Sequence, residues 1–134
     1  MPQPPSLAER LPAVLAGALT IVEESDEALT VSHGGLVASL RVVTIAEGLE
    51  LVALTAPLAW DLPLSAKTRA RVAAHTADTL LGTVVLVEKA GGTKTADVLL
   101  RYNFPATGLS DEALRTLILL VLATAADVRA DLAP

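Results

Sequence analysis

Residues 20–57 alternate apolar and polar side chains with a period of two, and three short turns interrupt the alternation. The turns lie at residues 24–27, 33–35 and 47–48, and each is short enough to close a β-hairpin. Strands joined by hairpins lie antiparallel to one another. The segment therefore predicts a meander of four antiparallel strands that ends at Pro57, and the fold must be built around this sheet.

Apolar residues before and after the meander recur at helical spacing instead. Residues 6–9 (SLAE) form a capping box, which predicts a first helix over residues 7–19. Ser65 is suited to cap a second helix that stops at Gly82, and Ser110 is suited to cap a last helix. The second helix has one stripe of mostly small apolar residues at helical spacing: Ala66, Ala70, Ala73, Ala77, Leu80 and Leu81. The face of the last helix that is expected to cover the sheet consists of Leu114, Leu117, Ile118, Val121, Ala125, Val128 and Leu132.

Gly91 and Gly92, followed by Lys94, resemble part of a phosphate-binding loop. Such a loop joins a strand to a helix, so that the amides at the helix start converge on the anion. Residues 94–104 alternate as a strand does, and residues 83–88 form another strand. The glycines therefore predict a hairpin turn, and a nucleotide site is not expected.

Together these elements predict an α+β domain with an antiparallel sheet of about six strands. Their order is helix, meander, helix, hairpin, helix. The domain is expected to span residues 7–132, after a disordered Pro-rich lead-in at residues 1–6. At 134 residues the chain is long enough to bury a core without disulfides or metals.

The composition argues against several classes of function. The chain has no cysteine, which rules out disulfides, thiolate metal sites and thiol nucleophiles. Its net charge of -5 and its 2% aromatic content argue against nucleic-acid and anionic-membrane partners. Its uncharged runs are too short to span a bilayer, and its start lacks the basic residues of a secretion signal. A cytoplasmic location is therefore expected.

The last helix is apolar nearly all round, which is typical of a helix that is covered on both sides. The candidate contact residues for a second subunit or a client polypeptide are Leu119, Leu122, Ala123 and Ala126. The alternative is that the first helix of the same chain covers this side. That alternative is favoured for Leu120 and Leu122.

Three cations crowd the start of the second helix, where the helix macrodipole disfavours positive charge. A carboxylate or phosphate could bind there, and the candidate residues are Ser65, Lys67, Arg69 and Arg71. The alternative, which is favoured, is a solvated face neutralised by Asp61 or Asp78.

No residue set suggests a metal, a cofactor or an active site. The acidic residues between positions 23 and 27 lack the spacing of a calcium-binding loop. His33 and His75 have no close partner in the sequence to complete a ligand set. No activated nucleophile or acid–base pair can be assembled from the spacing. The protein is therefore expected to be non-enzymatic and to need no cofactor.

Four short stretches follow one another in an order that resembles a known fold. They are Trp60-Asp61 after the meander, a helix that ends at Gly82, the strand at 101–104 (RYNF), and residues 108–114 (GLSDEAL). This order resembles that of the YbjN-like proteins, which share a fold with the type III secretion chaperones. The resemblance spans about residues 7–132, and it implies a homodimer that recognises other polypeptides and performs no catalysis.

The function expected from the sequence is therefore that of a non-enzymatic protein- or peptide-binding module, with itself and a polypeptide client as partners. The alternative is a small-anion or ligand sensor that uses the basic start of the second helix. Neither interpretation involves nucleic acid or a membrane.

Overall fold

The structure is a computed structural model that describes residues 6–25, 28–91 and 94–133. The helices in these ranges are α1 (Leu7–Leu15), α2 (Ala66–Asp78) and α3 (Asp111–Leu132). The strands are β1 (Thr20–Glu24), β2 (Ala28–His33), β3 (Leu36–Ala46), β4 (Leu49–Pro63), β5 (Thr83–Glu88) and β6 (Thr95–Pro105). The lead-in up to residue 5, part of the turn at 24–27 and Gly92 lie outside the described residues.

The six strands form one antiparallel sheet in the order β1-β2-β3-β4-β6-β5. β1 to β4 lie side by side in sequence order, α2 then carries the chain to the edge strand β5, and β6 returns between β5 and β4. The predicted α+β class and the predicted order of elements are confirmed. Gly91 lies between two paired strands rather than before a helix, so it does not belong to a phosphate-binding loop.

All three helices lie on one face of the sheet. α3 packs against β3 and β4, α2 against β5, and α1 against α3 and β3. Cross-strand partners on this face are buried, such as Leu40 with Leu54 and Leu100 with Val84. Their neighbours along each strand are at least partly accessible, as the alternation of side chains requires when one face is covered. Burial of each such leucine contributes about 1.5–3 kcal/mol.

The three predicted serine caps are present. The hydroxyl oxygens of Ser6, Ser65 and Ser110 each accept a bond from the N–H of the third helical residue, at 3.2, 3.1 and 3.1 Å. Each cap of this kind stabilises its helix by about 1 kcal/mol. α1 ends earlier than predicted, at Leu15, because Gly17 adopts a φ of +85° and turns the chain toward β1.

The predicted apolar stripe of α2 does not face the core. Val72 is the one buried residue of α2, and Leu80, expected at the end of the stripe, is 92% exposed. Alanine side chains have too little apolar area to decide which face of a helix is buried. The helix also ends at Asp78 rather than at Gly82, because the Thr79 hydroxyl donates to a carbonyl of the preceding turn while its backbone becomes extended.

α3 buries the predicted face, except that Leu117 is only partly buried. The core that it covers is aliphatic, with Phe104 as its one fully buried aromatic ring among the described residues. In the part of the chain that the structure describes, no helix is both long and apolar enough to cross a membrane.

Candidate functional site

β4 extends beyond Pro57, where the sequence pattern placed its end, and it loses one of its two neighbours there. Its pairing with β3 stops at Thr55, which lies opposite Ser39. Its pairing with β6 continues to Pro63, which lies opposite Thr95. Pro57, which has no backbone N–H to donate, follows the last pair of the β3–β4 ladder by two residues. The end of β4 is therefore held by β6 alone.

The pairing of this strand end with β6 is irregular, and the exposed Trp60 lies within the irregular segment. The register with β6 shifts twice between Pro57 and Leu62, and Trp60 has no cross-strand partner. Asp61 follows with a φ of +56°, a left-handed conformation that is uncommon for residues other than glycine. The side chain of Trp60 is 61% exposed. A large aromatic side chain in this position calls for an explanation, because such residues are normally covered.

Charged side chains hold the backbone next to Trp60. The N–H of Asp61 donates to the carboxylate of Asp97 on β6 at 3.0 Å. The ammonium group of Lys89 donates to the carboxylate of Asp61 and lies 3.4 Å from that of Asp97. These contacts raise the pKa of Lys89 above its ordinary value. The hydrogen bond to Asp61 is the largest cause of the increase, desolvation lowers the pKa in part, and the hydrogen bond to Asp97 raises it further. Asp97 of β6 and Lys89 of the β5–β6 connection therefore stabilise the backbone conformation in which Trp60 is exposed.

Trp60 lines a groove of about 560 Å³ between the end of β4, the β2–β3 turn and the end of α3. The walls are mainly apolar, and they include Val37, Leu58, Leu62 and Leu132. A groove of this size accommodates a few side chains of a bound polypeptide.

Arg129 is the charged residue among those that line the groove. A methyl group built on Gly35 would lie 3.6 Å from its guanidinium, so the Arg129 side chain lies close to the β2–β3 turn. Within the described residues, no ion pair joins Arg129 to an acidic side chain. The groove thus combines apolar walls with one cation.

The free side of β4 offers little for the addition of another strand. Pro57 and Pro63 bracket it, and neither has an N–H to donate. Prolines on a strand edge are one of the ways in which proteins prevent further strand pairing. The groove is therefore suited to bind the side chains of a polypeptide segment rather than to extend the sheet.

The face of the sheet without helices has a largely polar centre. One row of paired residues crosses all six strands there: Glu23, Thr30, Ser39, Thr55, Arg101 and Thr83. Polar rows of this kind are typical of a solvated sheet face. A separate group near the β3–β4 turn, here named the hairpin patch, consists of Val43, Ile45 and Leu49, which are 36%, 56% and 38% exposed.

The predicted contact residues of α3 differ in their accessibility. Leu122 is 1% exposed and belongs to the core, so it is not available to a partner in this conformation. Leu119 is partly buried and packs against the core. Ala126 is partly buried, and Ala123 is exposed. The large apolar side chain that α3 leaves in water is that of Leu120, which is 52% exposed.

α1 covers the side of α3 on which Leu119 lies. Arg10 of α1 binds the carboxylate of Asp111 at 2.7 Å. One turn further along α3, Arg115 donates to the carbonyl of Val14 at 3.0 Å. Leu119 follows Arg115 by one helical turn and shares its side of the helix. The alternative from the sequence, that the first helix covers this side, was favoured for Leu120 and Leu122. Leu122 is buried in the core, whereas the expectation is wrong for Leu120, which is 52% exposed.

The four candidate anion-binding residues at the start of α2 do not all lie on one side of the helix. The hydroxyl of Ser65 accepts its cap bond. Arg69 contacts Glu88 on β5 at 2.5 Å, whereas Arg71 donates to a backbone carbonyl at the end of α3. Lys67 is exposed. Arg69 and Arg71 are two positions apart and point to different sides of the helix, whereas Lys67 and Arg71 are one turn apart and share a side.

His75 contacts the carboxylate of Asp131 at 2.6 Å and thereby joins α2 to the end of α3. The sequence gives no partner for His75, because the two residues belong to elements that meet only in the fold. Over the described ranges, no group of three or more His, Asp or Glu side chains is arranged to hold a metal ion.

Sequence patterns did not assign Pro57, Trp60 or Arg129 to a binding site. A signal for the first two was present, as a proline inside an apolar run and as the one tryptophan of a chain that is poor in aromatic residues. No local signal places Arg129 beside them, because α3 meets β4 only through tertiary packing.

The fold and the groove define a two-layer α+β protein with a candidate polypeptide-binding site at the end of its central strand. A search of solved structures found YbjN from E. coli, a candidate transcription regulator, with a TM-score of 0.63. The two proteins are 15% identical, and the similarity covers 95% of this chain and 90% of YbjN. At this identity the similarity shows a YbjN-like fold. No family model and no curated protein sequence matches the chain.

Proposed function

We propose that the protein is a non-enzymatic, cytoplasmic protein-binding module that acts as a homodimer and binds a segment of a client polypeptide in the groove beside Trp60. The observation that carries the proposal is the 61% exposure of Trp60 on a strand end that Asp97 and Lys89 hold in place. Tryptophan is enriched among the residues that dominate binding energy at protein interfaces.

The groove favours a client segment with apolar side chains. An indole buries up to about 150–250 Å², so covering the exposed part of Trp60 removes on the order of 100 Å² from water. At about 25 cal/mol per Å², this contact alone contributes roughly 2–3 kcal/mol. Val37, which is 47% exposed, and the partly buried Leu62 supply further apolar surface in the same groove.

Self-association is proposed through the hairpin patch rather than through Leu122. The hairpin patch lies at the β3–β4 turn, whereas the groove lies at the other end of β4. A homodimer formed through the hairpin patch would therefore leave the groove free for a client. Exposed apolar side chains that are grouped in this way are typical of interaction surfaces.

The small-anion alternative has less support. Arg69 and Arg71 each contact a different part of the chain already. The net charge of -5 also gives the protein no broad attraction for anions. For the same reason we expect no nucleic-acid partner.

A displayed library of random dodecapeptides tests the binding function. The immobilised targets are the wild-type protein, Trp60→Ala, and Leu80→Ala as a control, since Leu80 is 92% exposed and does not line the groove. We expect apolar peptides to be enriched on the wild-type protein and on Leu80→Ala, but not on Trp60→Ala. Circular dichroism should show that all three proteins keep the same fold. No enrichment on the wild-type protein, or equal enrichment on all three, would contradict the proposal.

A further inference from the structure

Arg129 is the arginine that lines the groove beside Trp60. Arg10 and Arg69 each contact a carboxylate of the same chain. Arg129 lies in the last turn of α3 beside the apolar walls of the groove, and no acidic residue of the described chain forms an ion pair with it. Its guanidinium lies close to Gly35 in the β2–β3 turn, because a methyl group built on Gly35 would be in van der Waals contact with it at 3.6 Å.

The electrostatic setting favours one carboxylate over a larger anion. The last turn of α3 carries about half a negative charge, which stabilises the arginine but does not neutralise it. The guanidinium has a full positive charge and paired donors that match the two oxygens of a carboxylate. The net charge of -5 repels a polyanion as a whole. A single carboxylate next to apolar groups complements this groove best.

We propose that Arg129 selects client segments in which a carboxylate lies close to the apolar side chains that contact Trp60. The carboxylate comes from an aspartate, a glutamate or the end of the client chain. This inference rests on the proposed binding function of the groove, and it adds the chemistry of the ligand. Because Arg129 is exposed, its pair with the client contributes about two- to fivefold to affinity.

The same random dodecapeptide library tests this inference with other targets. Arg129→Gln removes the charge, and Arg129→Lys retains it. Arg101→Gln is the matched control, because Arg101 is exposed on the sheet face without helices and also has no ion pair among the described residues. We expect the peptides enriched on the wild-type protein and on Arg101→Gln to contain an excess of aspartate and glutamate. On Arg129→Gln the enriched peptides should remain apolar but lose that excess.

Single peptides then measure the size of the effect. Replacing the glutamate of an enriched peptide with glutamine should weaken binding to the wild-type protein by about two- to fivefold. The same replacement should leave binding to Arg129→Gln unchanged. Added salt should weaken the binding of the acidic peptide to the wild-type protein and to Arg129→Lys, but not to Arg129→Gln.

The possible outcomes separate this inference from the proposed function. Apolar peptides enriched on the wild-type protein without an acidic excess, or an excess that survives in Arg129→Gln, would overturn the role of Arg129 and leave the binding function standing. A wild-type protein that enriches no peptide would overturn both. A thermal unfolding curve of Arg129→Gln that matches the wild-type curve excludes misfolding as the cause of a lost preference.

Discussion

The backbone N–H of Asp61 donates a hydrogen bond to the carboxylate of Asp97 across β4 and β6, at 3.0 Å. Lys89 contacts both carboxylates. Asp61 has a left-handed backbone and follows Trp60 directly, so this cluster determines how the strand end presents the indole. The groove therefore depends on residues of β6 and of the β5–β6 connection that do not line it.

Replacing Lys89 with methionine is expected to lower stability at neutral pH but not at high pH. The pKa of Lys89 is raised in the folded protein, first by the hydrogen bond to Asp61. Its contribution is therefore present below the unfolded pKa and is lost as the pH rises through the folded pKa. Urea unfolding of the wild-type protein and of Lys89→Met at pH ~8 and pH ~12 measures the difference in stability. Lysine ordinarily titrates near pH ~10.4, so the two pH values lie below and above its titration. If the urea midpoints of the wild-type protein and Lys89→Met differ by the same amount at both pH values, Lys89 stabilises the protein by packing and not by its charge.

Replacing Pro57 with valine is expected to extend the β3–β4 ladder and to narrow the groove. Valine supplies the N–H that proline lacks, and it suits a strand. Hydrogen exchange should show that the amide introduced at position 57 is protected, and binding of enriched peptides should weaken. Pro63→Val is the control, because Pro63 lies beyond the part of β4 that runs alongside β3. An unprotected amide at position 57 would show that another feature keeps the strands apart.

The difference in burial between Leu122 and Leu120 predicts a difference in stability. Leu122 is 1% exposed, so Leu122→Ala should lower the free energy of unfolding by about 2–5 kcal/mol. Leu120 is 52% exposed, so Leu120→Ala should change it by less than about 1 kcal/mol. Denaturant unfolding of the two variants compares them. Similar losses would mean that Leu120 is covered in solution, for example by a second copy of the chain.

The site of self-association is tested by placing a charge in each candidate surface. Ile45→Glu in the hairpin patch should shift the mass measured by analytical ultracentrifugation from dimer to monomer, because an ionised carboxylate is costly to bury. Ala123→Glu on α3 is the comparison, and it should leave the dimer intact. Dissociation by Ala123→Glu alone would assign the interface to α3. A monomeric wild-type protein at micromolar concentration would contradict the homodimer itself.

The sequence was sufficient for features that depend on local chemistry. Ser6, Ser65 and Ser110 cap helices as predicted, because a serine before a helix satisfies an amide that the helix leaves free. The bounds of β3 and β5 were also predictable, because turn residues mark both ends of each strand. Hairpin turns join β3 to β2 and to β4, and β5 lies between Gly82 and Gly91.

The sequence was insufficient where the outcome depends on distant partners. The pattern ended β4 at Pro57, because a proline interrupts a ladder, but β6 supports the other side of the strand. The sequence allowed two contacts for Leu122, the first helix and a second subunit. It could not decide between them, because the first helix lies far from Leu122 along the chain. The groove itself joins Trp60 to Arg129, two residues whose proximity arises only when α3 packs across β4.

The fluorescence emission of Trp60 shows whether a polypeptide binds in the groove beside it. Trp60 is the only tryptophan of the chain, so its fluorescence reports on the groove alone. Titration with an enriched peptide should shift the emission to shorter wavelength and saturate at the affinity that calorimetry measures, because the peptide removes the exposed indole from water. Calorimetric binding with an unchanged emission spectrum would place the client elsewhere on the protein and would contradict binding in the groove.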